Sequence, residues 1–276
     1  MDLTDIAGRG LVVLGCGKMG SALLEGWLAR GLPPSAFFVR EPNPSDRLQA
    51  LAREGLSLNA PLPAAPAVAL IAVKPQMMAG ALPDVVALGG GGTLFVSIAA
   101  GIPIASLETT LGQGTPVVRA MPNTPAAVGR GITALVGNAA AGPEGLALAE
   151  ALMAAVGQTV RLTDEAQMDA VTAVSGSGPA YVFLLIEALA AAGEGAGLTA
   201  DVALHLARAT VGGAGALAES SDRPPAQLRV DVTSPGGTTA AALAVLMQEE
   251  TGLPPLLARA VAAAADRSRA LRGGSL

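Results

Sequence analysis

Three short segments place glycines at expected helix starts, two of them beside hydroxyl residues, in patterns suited to binding anions. The first, Gly15-Cys16-Gly17-Lys18-Met19-Gly20, is a G-x-G-x-x-G turn that directly follows an apolar run and opens an amphipathic stretch. Gly15 there permits a tight turn, Gly17 lets a pyrophosphate approach the backbone, and Gly20 allows close helix–strand packing. The helix start offers unpaired N–H groups to the anion. The second and third are Ser175-Gly176-Ser177-Gly178-Pro179 and Thr233-Ser234-Pro235-Gly236-Gly237-Thr238-Thr239. Serine caps and a proline at the first helical position suit a helix start. Amides freed by glycine, beside hydroxyls, can hold a carboxylate without a basic side chain, although plain capping uses the same residue types.

A dinucleotide fingerprint expects an acid on the ribose 2′-hydroxyl about 20 residues on, at the end of the second strand. Arg40 and Glu41 stand there. With Arg40 in that place, helped by Asn43 or Arg47, a 2′-phosphate is favoured and the cofactor is NADP; with Glu41 it is NAD. NADP is the first expectation. Only two basic residues are lysines, Lys18 in the fingerprint and Lys74 in AVKPQ (Val73, Lys74, Pro75), and both fall in expected cofactor loops.

Composition narrows the class. A chain of 276 residues holds a substantial core without disulfides or metals, and the single cysteine, Cys16, excludes an intramolecular disulfide and a thiolate metal cluster. Net charge is −5 and the arginines form no basic run, which argues against nucleic acid and for a small-molecule partner. The high apolar count comes largely from Ala and Gly. A membrane span needs about 20 consecutive apolar residues; the longest candidate, 180–192, is interrupted by Glu187 and reads as a buried helix. The opening MDLTDIAGRG does not read as a secretory signal, so a cytoplasmic location is expected.

The elements that must position these motifs follow from periodicity. Runs at 11–15, 36–40, 68–74, 93–99 and 117–121 read as buried strands, alternating with helices at 19–30, 44–54, 76–88 and 104–111. That alternation signals an α/β, doubly wound, mostly parallel sheet of Rossmann type. Strands at 132–137 and 159–163, flanking a helix at 144–156, extend it. From 164 on the periodicity is helical only, at 165–174, 179–192, 200–218, 226–232, 238–250 and 256–271. A dinucleotide-binding domain over 1–163 and a helical domain over 164–276 are therefore expected. Gly212, Gly213 and Gly215 suggest close helix packing, either within one subunit or in an intertwined dimer. His205, the only histidine, reads as a partly buried structural residue, and Trp27 and Tyr181 as packing residues.

The chain resembles the pyrroline-5-carboxylate reductases over nearly its whole length, through GCGKMG, AVKPQ, VSIAAGI, VRAMPNTPA, SGSGPAYVF and DVTSPGGTT in that order. The resemblance implies reduction of Δ1-pyrroline-5-carboxylate to L-proline by NADPH or NADH. It also implies a helical dimerisation domain and assembly as a homodimer or a multiple of dimers. Thr239 then matches the threonine whose hydroxyl reaches the substrate's ring nitrogen. Ser234, Gly236, Gly237 and Thr238 belong to the loop holding the substrate carboxylate, with Asp222 and Ser175 near the same site. Asn123 and Ala99 to Gly101 belong to the nicotinamide and ribose region. REPNP departs from the family pattern for the 2′-phosphate, and 58–67 is too rich in Pro and Ala to align. Hydroxyacid-type dehydrogenases of similar architecture use a lysine in the helical domain, and none follows Lys74; prephenate-type enzymes need a histidine near the cofactor, and His205 lies in another segment. A non-catalytic dinucleotide-binding regulator would have no use for an intact SPGGTT.

Overall fold

The computed structural model describes residues 3–271. Strands β1 (Leu11–Leu14), β2 (Phe37–Arg40), β3 (Ser57–Leu58), β4 (Val68–Ile71), β5 (Leu94–Ser97), β6 (Val117–Met121), β7 (Gly131–Gly137) and β8 (Gly157–Arg161) form one eight-stranded sheet. Its order is β3-β2-β1-β4-β5-β6-β7-β8. The first six strands are parallel; β7 runs antiparallel to β6, and β8 parallel to β7. The direction of the last two strands was not legible from periodicity alone.

Helices α1 (Leu3–Arg9), α2 (Lys18–Ala29), α3 (Asp46–Arg53), α4 (Met78–Ala81), α5 (Ile104–Leu111) and α6 (Gly142–Met153) connect or flank the strands. Because β1 and β4 are covered on both faces, all four of their residues are buried. Period-two alternation sends Leu11, Val13, Val68 and Leu70 into one core cluster and Val12, Leu14, Ala69 and Ile71 into the other. The helix expected over 76–88 is broken into α4 and three 3-10 turns, at Pro75–Met77, Leu82–Asp84 and Val86–Leu88. Pro83 has no N–H for a helical bond and its ring clashes with the preceding turn. α1 and the two-residue β3 were not expected.

Two compact units emerge: the described residues up to Gly176 together with those from Ala264, and Ser177–Ala263. Before the first boundary come α7 (Met168–Val171) and a π-helical turn, Thr172–Gly176. The second unit holds α8 (Gly178–Gly195), α9 (Ala200–Glu219), α10 (Pro225–Asp231), α11 (Thr238–Leu246) and most of α12 (Leu253–Leu271). Within it α8 and α9 meet through Ile186, Ala190, Ala203 and Ala207. A Cβ on Gly193 would lie 3.2 Å from that of Ala203, so glycine there permits the close approach.

Two expectations for the helical part are corrected and a third is narrowed. The segment 180–192 is not buried within one chain: of α8 only Ala190 is, and Phe183, Leu184 and Leu185 are exposed. By length and composition the helix Glu165–Gly195 could cross a membrane, and little of it is buried within one chain. His205 is exposed rather than partly buried. Added Cβ atoms on Gly212, Gly213 and Gly215 would meet nothing within 4 Å, so these glycines serve no packing inside the chain. The exposed leucines and phenylalanine show that α8 carries more apolar surface than its own chain covers.

Trp27 is the anchor of the sheet's first layer. It is 1% exposed, its indole Nε1 donates to Leu152 O at 2.8 Å, and its ring stacks on Phe37 with centroids 6.0 Å apart. Truncating a buried aromatic leaves a cavity, and here it also leaves a carbonyl without its donor. Trp27→Ala is expected to lower stability by about 3–5 kcal/mol, measured as urea unfolding followed by far-UV circular dichroism at fixed protein concentration.

Candidate cofactor crevice and substrate loop

The glycine turn is built by hydrogen bonds at the ends of β1 and β2. Gly15 has φ +87°, and its N–H donates to Arg40 O at 2.8 Å. A Cβ there would come within 2.7 Å of Val73 Cγ1, and one on Gly20 within 2.7 Å of Gly15 O, so neither position tolerates a side chain. Gly17 differs. It caps the start of α2 with no side-chain cap, and a Cβ would meet no protein atom within 4 Å. The turn thus leaves open space over a helix start whose first N–H groups lack partners.

That space belongs to a cavity of about 710 Å³, lined by Gly15, Gly17, Arg40, Asn43, Val73 and Lys74, all expected from the sequence. It lies beyond the carboxyl ends of β1, β2 and β4, where the sheet order reverses direction from β1 outwards, the place where open α/β sheets bind ligands. Its volume suits a small-molecule or cofactor site. Open space above Gly17, a helix start without caps and cationic Lys74 fit a dinucleotide's pyrophosphate. Burial pushes the Cys16 thiol up from its ordinary value, and Glu41 and Glu25 add to the effect while the Ser21 hydrogen bond opposes it. The turn therefore carries a neutral thiol, with no thiolate to repel a phosphate.

Two residues of the cavity wall were missed or left open by sequence reasoning. Glu41, weighed only as an alternative to Arg40, accepts from the Cys16 N–H at 2.8 Å. Asn59, in the Pro- and Ala-rich stretch, brackets the Glu41 backbone with its side-chain amide. Its φ of +53°, the one positive value among the described non-glycine residues, is a conformation that asparagine adopts more readily than most. An asparagine directly after the short run Leu56-Ser57-Leu58 was the available signal.

Other expected residues lie outside this cavity. Lys18 lines a separate hollow with Ser21, Glu25 and Gly26. Met19 packs against the first core cluster. Pro75 opens a 3-10 turn, and Ala99 is 4% exposed. Arg47 does not assist Arg40: its guanidinium donates to Glu25 at 2.7 Å and lies 3.9 Å from Glu54. Asn123 is a tie, accepting from the Ile132 N–H at 3.0 Å and donating to Ser175 Oγ at 3.3 Å. Ser175 lies in the π turn; Ser177 then stands at the N-cap of α8 without a side-chain bond, and Pro179 falls in its first turn, as expected for a helix start.

In the second unit, the loop before α11 has the expected form. Gly236 has φ +70°, the Gly237 N–H donates to Ser234 O at 3.0 Å, and Gly237 caps α11 with no side-chain cap. The hydroxyls of Thr238 and Thr239 are thereby left uncommitted to capping, beside a helix start of free N–H groups. The Thr233 hydroxyl is spent on Arg229 O at 2.6 Å. Asp222 is exposed, while Arg223 pairs with Asp231 at 2.5 Å.

Comparison with known proteins matches both halves of this description. The family described as pyrroline-5-carboxylate reductase dimerisation matches residues 165–271, and the family described as NADP oxidoreductase, coenzyme F420-dependent, matches residues 10–101. A pyrroline-5-carboxylate reductase of Pseudomonas aeruginosa is 42% identical over 95% of this chain and 96% of its own. One from Pisum sativum is 41% identical over 94% of each. Among solved structures, the Coxiella burnetii pyrroline-5-carboxylate reductase superposes with a TM-score of 0.89 at 34% identity, covering 96% of this chain and 99% of that one. The Plasmodium falciparum pyrroline carboxylate reductase, solved with NADP bound, gives 0.82 at 29%, covering 96% and 98%. With a glycine crevice, an uncapped Ser/Thr loop and identity of this extent along nearly the whole chain, the protein belongs to the pyrroline-5-carboxylate reductase family.

Proposed function

We propose that this chain reduces Δ1-pyrroline-5-carboxylate to L-proline with a nicotinamide dinucleotide held in the crevice at Gly15, Gly17 and Lys74. The observation that carries the reading is the open backbone at Gly17 above the start of α2, in a chain 42% identical to a pyrroline-5-carboxylate reductase over 95% of its length. The bound dinucleotide supplies hydride to the imine carbon. The protein's own task is to bind, orient and polarise, since imine reduction needs no covalent nucleophile. In this reading the N–H groups of Lys18 and Met19 face the pyrophosphate, and Ala99 and Asn123 shape the nicotinamide end.

The substrate falls to the second motif. Amides and hydroxyls of Ser234, Gly236, Gly237 and Thr238 hold the carboxylate, with Asp222 and Ser175 nearby, and the Thr239 hydroxyl hydrogen-bonds the ring nitrogen. Threonine is too weak an acid to protonate an imine outright, so its part is to polarise the nitrogen or to orient a substrate already bound as iminium. Held at near-attack distance, the imine gains most of its rate from orientation. By sequence pattern the cofactor domain is 1–163 and the substrate and dimerisation domain 164–276. The reaction is placed in the cytoplasm, in keeping with a chain of one cysteine.

We also assign the uncovered helices to a homodimer or a multiple of dimers. The support is that Phe183, Leu184 and Leu185, spread around α8, are all exposed within residues whose family is described by dimerisation. A second copy on this face buries apolar side chains worth about 1.5–3 kcal/mol each, whereas lipid would not explain the small-residue surface of α9.

Two experiments test these assignments. Steady-state oxidation of NADH and NADPH with pyrroline-5-carboxylate should show turnover, and Thr239→Val should lower kcat/KM by roughly 10- to 150-fold, the worth of one charge-assisted hydrogen bond. Cofactor binding without any turnover would favour the regulator instead, and unchanged kcat/KM in the variant would remove Thr239 from the chemistry. For assembly, Leu184→Glu is expected to halve the mass seen by light scattering while far-UV circular dichroism stays helical; an unchanged mass would contradict the dimer face.

A further inference from the structure

Four hydrogen bonds fix one acid at the rim of the cofactor crevice. Glu41 follows the last residue of β2; its N–H donates to Asn59 Oδ1 and its carbonyl accepts from Asn59 Nδ2, both at 2.9 Å. Its side chain is held as well: Oε2 accepts from the Cys16 N–H at 2.8 Å and Oε1 from the Asn43 N–H at 3.0 Å. Asn59 is itself anchored, its N–H donating to Val39 O at 2.8 Å. Glu41 is therefore set from three directions: its carboxylate by the glycine turn and the loop after β2, and its backbone by Asn59 just past β3. Little ordering remains to be done when a ligand arrives.

An ionised carboxylate accepts about four hydrogen bonds, and two are taken. The remaining acceptor capacity belongs to a group that lines the cavity directly beside the glycine turn. An adenosine ribose with free 2′- and 3′-hydroxyls offers two O–H donors to such a group. A phosphate monoester in the same place brings about −1.5 to −2 charge and, when fully ionised, no donor.

The cations nearby do not reverse this preference. Arg40 lines the same cavity, its Nε buried without a partner, but period two sends it to the sheet face shared with Phe38. One guanidinium beside one fixed carboxylate leaves this rim without net positive charge. Arg47, the other cation of the loop, is drawn off by Glu25 and Glu54.

We propose that Glu41 selects the dinucleotide, so that this chain takes NAD(H), with its free ribose diol, in preference to NADP(H). This choice within the NAD(P)H pair rests on the reading that the crevice holds a nicotinamide dinucleotide. Arg40 then serves the adenine side of the cavity, where a guanidinium can lie flat against an aromatic face.

The test is isothermal titration calorimetry of the full chain with NADH and with NADPH, without substrate, so that binding is read apart from turnover. Wild type should bind NADH at least ~10-fold more tightly than NADPH, as expected for a like charge set against a phosphate. Glu41→Gln keeps an acceptor for the Cys16 N–H and removes the charge; it should tighten NADPH by roughly 10-fold and erase the preference. Arg40→Ala should leave the NADH preference in place. Wild type binding NADPH as tightly as NADH or more tightly would overturn the proposal, as would an unmoved ratio in a folded Glu41→Gln. The wild-type ratio decides between the cofactors whatever the variant's folding. If neither dinucleotide binds, the crevice reading itself fails and this choice falls with it, a result distinct from tight binding with the opposite preference.

Discussion

The left-handed turn at Gly15 is the constraint on which the rest of the first unit depends. Its N–H closes onto Arg40 O, and its missing side chain lets Val73 and the Ala72 backbone come within van der Waals reach. With any L side chain at φ +87° the backbone would be strained and Val73 would have to move. Because β1 is bonded to β2 on one side and β4 on the other, that turn brings the ends of three strands around one cavity. Gly17 keeps the helix start open, Gly20 lets α2 press against the turn, and the Cys16 N–H fixes Glu41. A single backbone conformation thus sets the anion site and the rim beside it.

The second unit obeys a different economy of surface. Its contacts between α8 and α9 are made by alanines and one glycine, which give close approach but little apolar area per residue. Larger side chains on the same helices point away from their own chain. A helix that is apolar on most sides is stable only when something covers it, and a second copy is the cover that the family's dimerisation segment provides for. The Ser/Thr loop before α11 sits in this unit, so on the proposed reading substrate binding and assembly share the same helices. That sharing gives a physical reason for a family built on a dimerising substrate domain.

The parts of this molecule legible in its sequence were those set by local rules. LVVLG followed by GCGKMG announced strand, turn and helix because each residue type there satisfies a steric demand, and the structure brings Gly15, Gly17, Val73 and Lys74 to one cavity. SPGGTT announced an uncapped helix start in the same way. What escaped was set by distant partners. The two-residue β3 exists through its bonds to β2, and Asn59 finds its role by reaching back to Glu41 across 18 residues. The pairing of Arg47 with Glu25 was not legible because sequence spacing does not tell which carboxylate a long cation will find. His205 and α8 read as buried because apolar periodicity records that a face is covered, not which chain covers it.

Hydrogen exchange with and without saturating NADH tests the central claim most directly, because the turn at Gly15 is argued to meet the cofactor through backbone N–H groups. The account predicts slowed exchange over residues 14–21, 40–43 and 72–81, which wall the cavity, with lesser protection around Asn59 and at the nicotinamide end near Ala99 and Asn123. Protection that leaves 14–21 untouched and appears elsewhere on the sheet would contradict it.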